Sequence, residues 1–383
     1  RHTGLNVRGA FRALAPGNPW GIVGYLGLLA SILILSFYSV VAGWTLEYIY
    51  QSLTGFGGIS SVDGLHDRFD GFATSDWRPL MWTLIFLALN YIVLSRGVQK
   101  GIEKMSNIMM PLLFVILVVF CINSLRMPAA GEGLTFLFKP DFSKVTPSVM
   151  LGAMGQAFFS LSLGLGCLIT YSSYFKKDTP LLKTAGIMAS LDTLVAILAG
   201  VIIFPAVFTF GMEPAAGPKL VFEILPSIFM HLPGSMLWST LFFILLFLAS
   251  LSSTISMSEI TIAYMTDEFG YSRRKATICN TAVAMVLGAV CALSFGALSG
   301  WTVCGLTVFN LFDYLSSNIL LPVGGMIISI FVGWVLDKSI VRRELIGKDS
   351  GVRPWMVTVV VACLRYVAPA CIGLVFIYGL GIF

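Results

Sequence analysis

The chain reads as long apolar runs separated by short polar segments, many of them basic. A helix needs about 20 mostly apolar residues to cross a bilayer. Nine stretches meet this: 20–46, 78–96, 105–125, 147–175, 184–211, 235–266, 275–298, 304–336 and 354–381. These runs are too long and continuous for barrel strands, and within lipid a helix satisfies its own backbone. The pattern predicts an all-α integral membrane protein.

Composition strengthens this. Of 383 residues, 57% are hydrophobic and only 11% charged, against about 25% charged in soluble domains. A soluble chain of this length has too little interior to hide so much apolar surface, so the lipid bilayer is the expected solvent. The net charge of +5 lies mostly in loops and points to no nucleic acid. Cys121, Cys167, Cys279, Cys291, Cys304, Cys363 and Cys371 show no paired or CxxC spacing and read as small buried hydrophobes. His2, His66 and His231 are too scattered to mark a metal site. No nucleophile–base pair stands out, so no enzyme is expected.

Basic residues favour alternate loops. One set holds Arg1, Arg8 and Arg12, then Arg96, Lys100 and Lys104, then Lys176, Lys177 and Lys183. It continues with Arg273, Arg274 and Lys275 and ends with Lys338, Arg342, Arg343, Lys348 and Arg353. The other set is poorer, with Arg68, Arg78, Arg126, Lys139, Lys144 and Lys219. The positive-inside rule then places residue 1 in the cytoplasm and the C-terminus outside. The opening Arg-His-Thr-Gly-Leu resembles the middle of a protein rather than a start or a signal peptide. Residues 1–19 are expected as a cytoplasmic loop and 47–77 as a flexible outer segment. The proline-rich stretch 212–233 fits either a re-entrant outer lid or an ordinary loop.

Three spans carry polar residues that lipid does not explain. The fourth reads Gly152-Ala-Met-Gly155-Gln156-Ala-Phe158-Phe159-Ser160-Leu-Ser162-Leu-Gly164-Leu-Gly166. Glycine weakens a helix by about 1 kcal/mol per residue. An unwound stretch near 160–164 would free carbonyls for a cation and N–H groups for a carboxylate. Close helix packing is the competing explanation. The fifth span carries Asp192, which needs a salt-bridge partner, a cation or a proton. The sixth holds Ser250, Ser252, Ser253, Thr254, Ser256 and Ser258, either as interhelical glue or as ligands for Na⁺. Ser253 and Met257 share one helix face. Elsewhere, Glu259 reads as a snorkelling or packing acid. Arg365 is expected to find an interhelical pair or backbone carbonyls, and Pro205 and Pro322 to kink their helices.

The string Gln156-Ala-Phe-Phe-Ser-Leu-Ser-Leu-Gly-Leu-Gly166, followed by Ile169-Thr-Tyr171 and Ser173-Tyr174, resembles the sixth helix of the neurotransmitter:sodium symporter family. The first span, with Tyr38 before Trp44, resembles that family's third helix. The Asp192 span resembles the seventh and the serine-rich span the eighth. Leu311-Phe-Asp313-Tyr resembles the start of the tenth.

The resemblance covers the whole chain as family helices three to eleven. It implies a single transporter domain of the leucine-transporter type, with two inverted repeats. Residues 20–125 would be the rest of the first repeat, 147–336 the second, and 354–381 the last helix. The family's first two helices have no counterpart, so the visible chain alone is not expected to transport.

The implied function is sodium-coupled uptake of a small amino acid across a prokaryotic cell membrane, with Na⁺ co-transported and no further cofactor. Ile34, Tyr38, Phe159, Ser160, Ser162, Leu165, Ser253 and Met257 would contact the substrate. Ser160 and Asp192 would ligate one Na⁺. The Ala249 carbonyl with the Ser252 and Ser253 hydroxyls would ligate another. Tyr38, Phe159 and Asp313 would form the outer gate. Chloride-dependent members carry Asn at the Asp192 position and Ser at the Ala196 position, so chloride independence is implied. Leu165 stands where the leucine-transporting relative has Phe, leaving room for a larger hydrophobic or aromatic amino acid. A proton- or other-cation-coupled symporter, a channel and a non-transporting membrane fragment remain the alternatives.

Overall fold

The computed structural model describes residues 1–58, 62–97, 102–211, 220–230, 233–346 and 352–381. Lys100, Lys219, His231, Lys348 and residues 212–219 of the proline-rich stretch lie outside the described residues. The first half holds helices α1 (Val7–Leu14), α2 (Ile22–Leu53), α3 (Val62–Ala73), α4 (Arg78–Ser95), α5 (Lys104–Ser124), α6 (Ala130–Phe138), α7 (Pro147–Ser160) and α8 (Cys167–Ser173). The second holds α9 (Leu181–Thr209), α10 (Leu225–Met230), α11 (Ser235–Phe269), α12 (Arg273–Leu293), α13 (Val308–Tyr314), α14 (Leu321–Ile330), α15 (Lys338–Ile346), α16 (Pro354–Ala362) and α17 (Ala368–Gly379). A two-residue hairpin pairs Thr302 with Thr307 and Val303 with Leu306 before α13.

Among the described residues, 8 helices are long and apolar enough to cross a membrane. Two are composite. A π-helical segment, Leu315–Leu320, joins α13 to α14, and another, Cys363–Val367, joins α16 to α17. The first sits directly before Pro322, whose missing N–H and ring disrupt regular α-helical pairing. The predicted fourth span is the remaining stretch. It is broken into α7 and α8, so neither piece crosses alone.

Position in the bundle follows from burial. The most apolar stretch of the first span is 72% buried in protein, whereas that of the last span is 6% buried. α2 is therefore the central post, packed against α4, α11, α12 and α14. Polar side chains tie α2 and α4 to α11. Ser31 Oγ lies 3.3 Å from Thr261 Oγ1, and Asn90 on α4 donates to Thr254 at 2.7 Å and accepts from Ser258 at 3.4 Å. Part of the serine–threonine run on α11 is thus interhelical glue.

Several expectations need correction. The first helix runs seven residues past residue 46, and 62–73 is the helix α3 with Leu65, Phe69 and Phe72 buried, so the described part of 47–77 is largely helical rather than a flexible loop. Buried Glu47 fixes this region by accepting from Arg78, Trp82 and Gln51. Residues 1–19 are not all loop. Asn6 caps α1 by accepting from Gly9 N at 3.0 Å, and Val7 and Phe11 pack inward. Glu259 does not snorkel. It is fully buried, clasped by both terminal nitrogens of Arg273 at 2.8 and 2.7 Å and by the Tyr174 hydroxyl at 2.9 Å. Cys304 and Cys363 are exposed rather than buried. Arg365 behaves as expected, donating to the Gly333 carbonyl at 2.8 Å and lying over Trp334. The described part of the proline-rich stretch tucks inward, with Phe222, Leu225, Ile228 and Phe229 buried.

The loops sort into two faces. Arg1 meets Glu344, Arg8 meets Glu268 and Asn6 meets Asp267 at one face. At the opposite face His66 meets Glu223 and Ala129 N meets Thr209.

Candidate functional site

The site grows from the break between α7 and α8. α7 starts at Thr146, whose hydroxyl caps Val149 N at 3.3 Å, followed by Pro147 in the first turn. Its regular hydrogen bonding runs out after Ser160. Ser162 N turns back to Phe159 O at 2.9 Å and Leu163 N to Phe158 O at 3.1 Å. Ser162, Gly164 and Gly166 all adopt left-handed backbone, with φ of 52°, 83° and 85°. Three such residues in five cannot continue a right-handed helix.

Close approach makes glycine necessary at 164. A Cβ there would lie 2.2 Å from the Leu321 carbonyl oxygen. The unwound strand is thereby held against the start of α14. On its other side, a Cβ on Gly27 of α2 would lie 2.7 Å from the Leu165 carbonyl oxygen. Fixing this strand sets two helix ends, with their unpaired carbonyl and N–H groups, facing one another across the break, the start of α8 being buried at Cys167 and Thr170.

Four elements bring side chains to the break. On α9, Asp192 accepts from the Ser160 hydroxyl at 2.7 and 2.9 Å. Among the described residues it has no ion pair. On α11, the Ser252 and Ser253 hydroxyls both donate to the Ala249 carbonyl, at 2.8 and 3.2 Å, so three oxygens cluster. On α2, Tyr38 lines the same cavity as Ser253, and Ile34 is buried one turn earlier. On α8, the Tyr171 hydroxyl lies 3.0 Å from Ser256 Oγ.

These groups enclose a cavity of about 370 Å³. Ile34, Tyr38, Phe159, Ser160, Ser162, Leu165, Asp192, Ser253 and Met257 all line it. Its polar part is made of hydroxyls and the Asp192 carboxylate, and its apolar part of Ile34, Leu165, Met257 and Leu321. Among the described residues of the lining Asp192 is the sole charged one, so the cavity favours a cation. It combines oxygen ligands for a hard cation with an apolar wall for an organic side chain.

Three predicted residues, Ala249, Ser252 and Asp313, lie outside this lining. Ser252 lines an adjoining cavity that it shares with Tyr171 and Ser256. Asp313 accepts from Ser317 at 3.0 Å and lines another neighbouring cavity of about 360 Å³. Phe159 lines that cavity as well as the main one, so its ring stands between them.

The sequence reading missed Leu161, Cys167, Leu168, Tyr171, Met188, Ser256 and Leu321 as lining residues. Two of them had a signal. Met188 precedes Asp192 by four residues and Ser256 follows Ser252 by four, which places each pair on one helix face. Leu321 had none, because its approach depends on tertiary packing.

Residues 60–383 match the sodium:neurotransmitter symporter family. A sodium-dependent transporter of Bacillus subtilis is 37% identical over 387 residues, covering 100% of this chain and 84% of the relative. A sodium-dependent transporter of Haemophilus influenzae is 38% identical over 370 residues, covering 94% of this chain and 79% of the relative. Among solved structures, that of MhsT in complex with L-phenylalanine matches with a TM-score of 0.89 and 42% identity. The match covers 99% of this chain and 86% of MhsT.

Proposed function

The chain belongs to the sodium:neurotransmitter symporter family, and from that premise we propose that it takes up a hydrophobic or aromatic amino acid by sodium-coupled, chloride-independent symport. Membership and the match to MhsT establish the leucine-transporter-type membrane fold and sodium-coupled transport of a small solute. The substrate, the ion sites and the orientation are our reading.

The observation that carries it is the cavity at the helix break. Ser160 and Asp192 supply oxygens for one Na⁺, and Ala249, Ser252 and Ser253 for a second. Substrate carboxylate meets the first ion, Tyr38 closes over that carboxylate, and the amino group meets the unwound backbone at Ser162. Leu165, Ile34 and Met257 take the side chain. Phe159 forms a lid, and Asp313 beyond it belongs to the outer gate. The fixed charge of Asp192 replaces chloride. The phenylalanine bound by MhsT supports a bulky apolar substrate. The basic residues of one face favour placing residue 1 in the cytoplasm of a prokaryotic cell.

Two ions provide enough driving force. A roughly tenfold Na⁺ gradient supplies about 1.4 kcal/mol per ion, and a potential of about 100 mV adds about 2.3 kcal/mol per charge. Together they give roughly 7 kcal/mol, a solute ratio on the order of 10⁵.

The test is uptake of radiolabelled L-phenylalanine into proteoliposomes by the protein expressed from its full gene. Uptake is expected with Na⁺, whether the anion is chloride or gluconate, and not with choline. Uptake driven equally well by a proton gradient in choline would favour Asp192 as a proton carrier and sink the sodium assignment. Loss of uptake in gluconate would refute chloride independence.

A further inference from the structure

A second cluster lies on the face opposite the basic loops, away from the helix break. We propose that His66, Asp70 and Glu223 form a binding site for a divalent transition-metal ion of the Zn²⁺ class.

α3 carries His66 and Asp70 four residues apart, on one helical face. The π-helical segment Leu220–Ile224 brings Glu223 to the same point. His66 Nδ1 lies 3.1 Å from Glu223 Oε2, and His66 Nε2 lies 3.4 Å from Asp70 Oδ2. One ligand atom from each residue falls within 4.8 Å of the other two. Zn–N and Zn–O bonds of about 2.1 Å in a tetrahedron set ligand atoms about 3.4 Å apart. Small side-chain rotations therefore close the set.

A second observation points to a cation as ligand. Glu223 is 7% exposed, yet its Oε1 has no hydrogen-bond partner among the described residues. The hydroxyl of Tyr48, a fully buried neighbour in the field of Glu223 and Asp70, is likewise unpartnered. A buried carboxylate oxygen left bare is unfavourable. Among the described residues, two cations of this region are committed elsewhere: Arg68 donates to Gln51 at 2.8 Å and Arg78 to Glu47. A bound dication satisfies Glu223 without recruiting either.

The donor set selects the metal. One imidazole and two carboxylates suit Zn²⁺, with a water as fourth ligand. Ca²⁺ and Mg²⁺ prefer six or more oxygens. The half-exposed His66 and exposed Asp70 give an ion a path in from solvent. When bound, the ion ties α3 to the segment that ends in α10.

Isothermal titration of the purified protein in lipid nanodiscs with ZnCl₂ tests this. One site is expected, unaffected by excess Mg²⁺ or Ca²⁺. His66→Ala, Asp70→Asn and Glu223→Gln should each weaken it at least about tenfold, with melting temperatures in EDTA reporting that each variant is folded. Should His66→Ala not fold, Asp70→Asn at its exposed position decides. Unchanged Zn²⁺ affinity in a folded variant, or no binding by the parent protein, overturns the proposal.

Discussion

The Ser160 hydroxyl donates to the Asp192 carboxylate across the helix break, at 2.7 and 2.9 Å to its two oxygens. One partner is the last helical residue of α7 and the other lies within α9. A carboxylate held this way has lone pairs left for a cation and no competing Lys or Arg in the cavity lining. Asp192→Asn keeps the shape and one ligand oxygen while removing the charge. The apparent Na⁺ affinity for substrate binding should fall at least about tenfold, or about 1.4 kcal/mol. The double variant Asp192→Asn with Ala196→Ser should regain sodium-driven binding only in chloride. An unchanged sodium titration in Asp192→Asn would remove this residue from the ion site.

The break itself depends on Gly164. Alanine there meets the Leu321 carbonyl at 2.2 Å and must hold a φ of +83°. Strain and overpacking together should cost about 2–4 kcal/mol, read as a lower melting temperature and weaker Na⁺ binding. Gly152→Ala, within α7, is the control. Nothing lies within 4 Å of a Cβ there, so it should be neutral or stabilising by up to about 1 kcal/mol. Equal effects at the two positions would mean that helix propensity, not the break, governs both.

The spans, the position of the break and the residues around the cavity were legible because each leaves a local mark. Apolar run length marks α2, α9 and α11, and the Gly–Ser string marks the end of α7. What stayed hidden depends on partners distant in sequence. The reach of α2 to Leu53 rests on Glu47 meeting Arg78 and Trp82. The burial of Glu259 rests on Arg273 and Tyr174. His66 looked isolated because Glu223 lies 157 positions away. α3 was hidden by its glycines and acids, since its helix is stabilised by burying Leu65, Phe69 and Phe72 rather than by an uninterrupted apolar run.

Glu259 and Arg273 make a buried pair whose loss is asymmetric. Arg273→Met strands a fully buried carboxylate and should destabilise by about 3–5 kcal/mol. Adding Glu259→Leu removes the stranded charge and should recover much of that loss. Melting temperatures of the single and double variants decide this. A double variant less stable than Arg273→Met alone would show that Tyr174 and packing, rather than charge, dominate.

Glu344 joins the opening segment to α15. Burial pushes its carboxyl pKa up, but hydrogen bonds from Arg1 and His2 and the Arg1 charge outweigh this and hold it below the usual glutamate value. A depressed folded-state pKa stabilises above the unfolded value of about 4.3, and the contribution disappears as pH falls through the folded value. In a His2→Ala background, which removes the imidazole's own titration, Glu344→Gln should lower the melting temperature at pH 7. The gap should close below about pH 4. A gap that persists there would show that the side chain acts by packing.

Leu165 is the most direct handle on substrate size. It is 2% exposed and lines the cavity together with Ile34 and Met257. Phenylalanine at this position is longer and bulkier than leucine and narrows a cavity of about 370 Å³. A bulky aromatic substrate should then bind about 10–100-fold more weakly, because overpacking costs about 1–3 kcal/mol. Alanine or glycine as substrate should lose little. Competition of both against a labelled substrate, at saturating Na⁺, separates a pocket effect from a general loss of fold. If L-phenylalanine and L-alanine weaken equally in Leu165→Phe, the apolar wall at Leu165 does not face the substrate side chain.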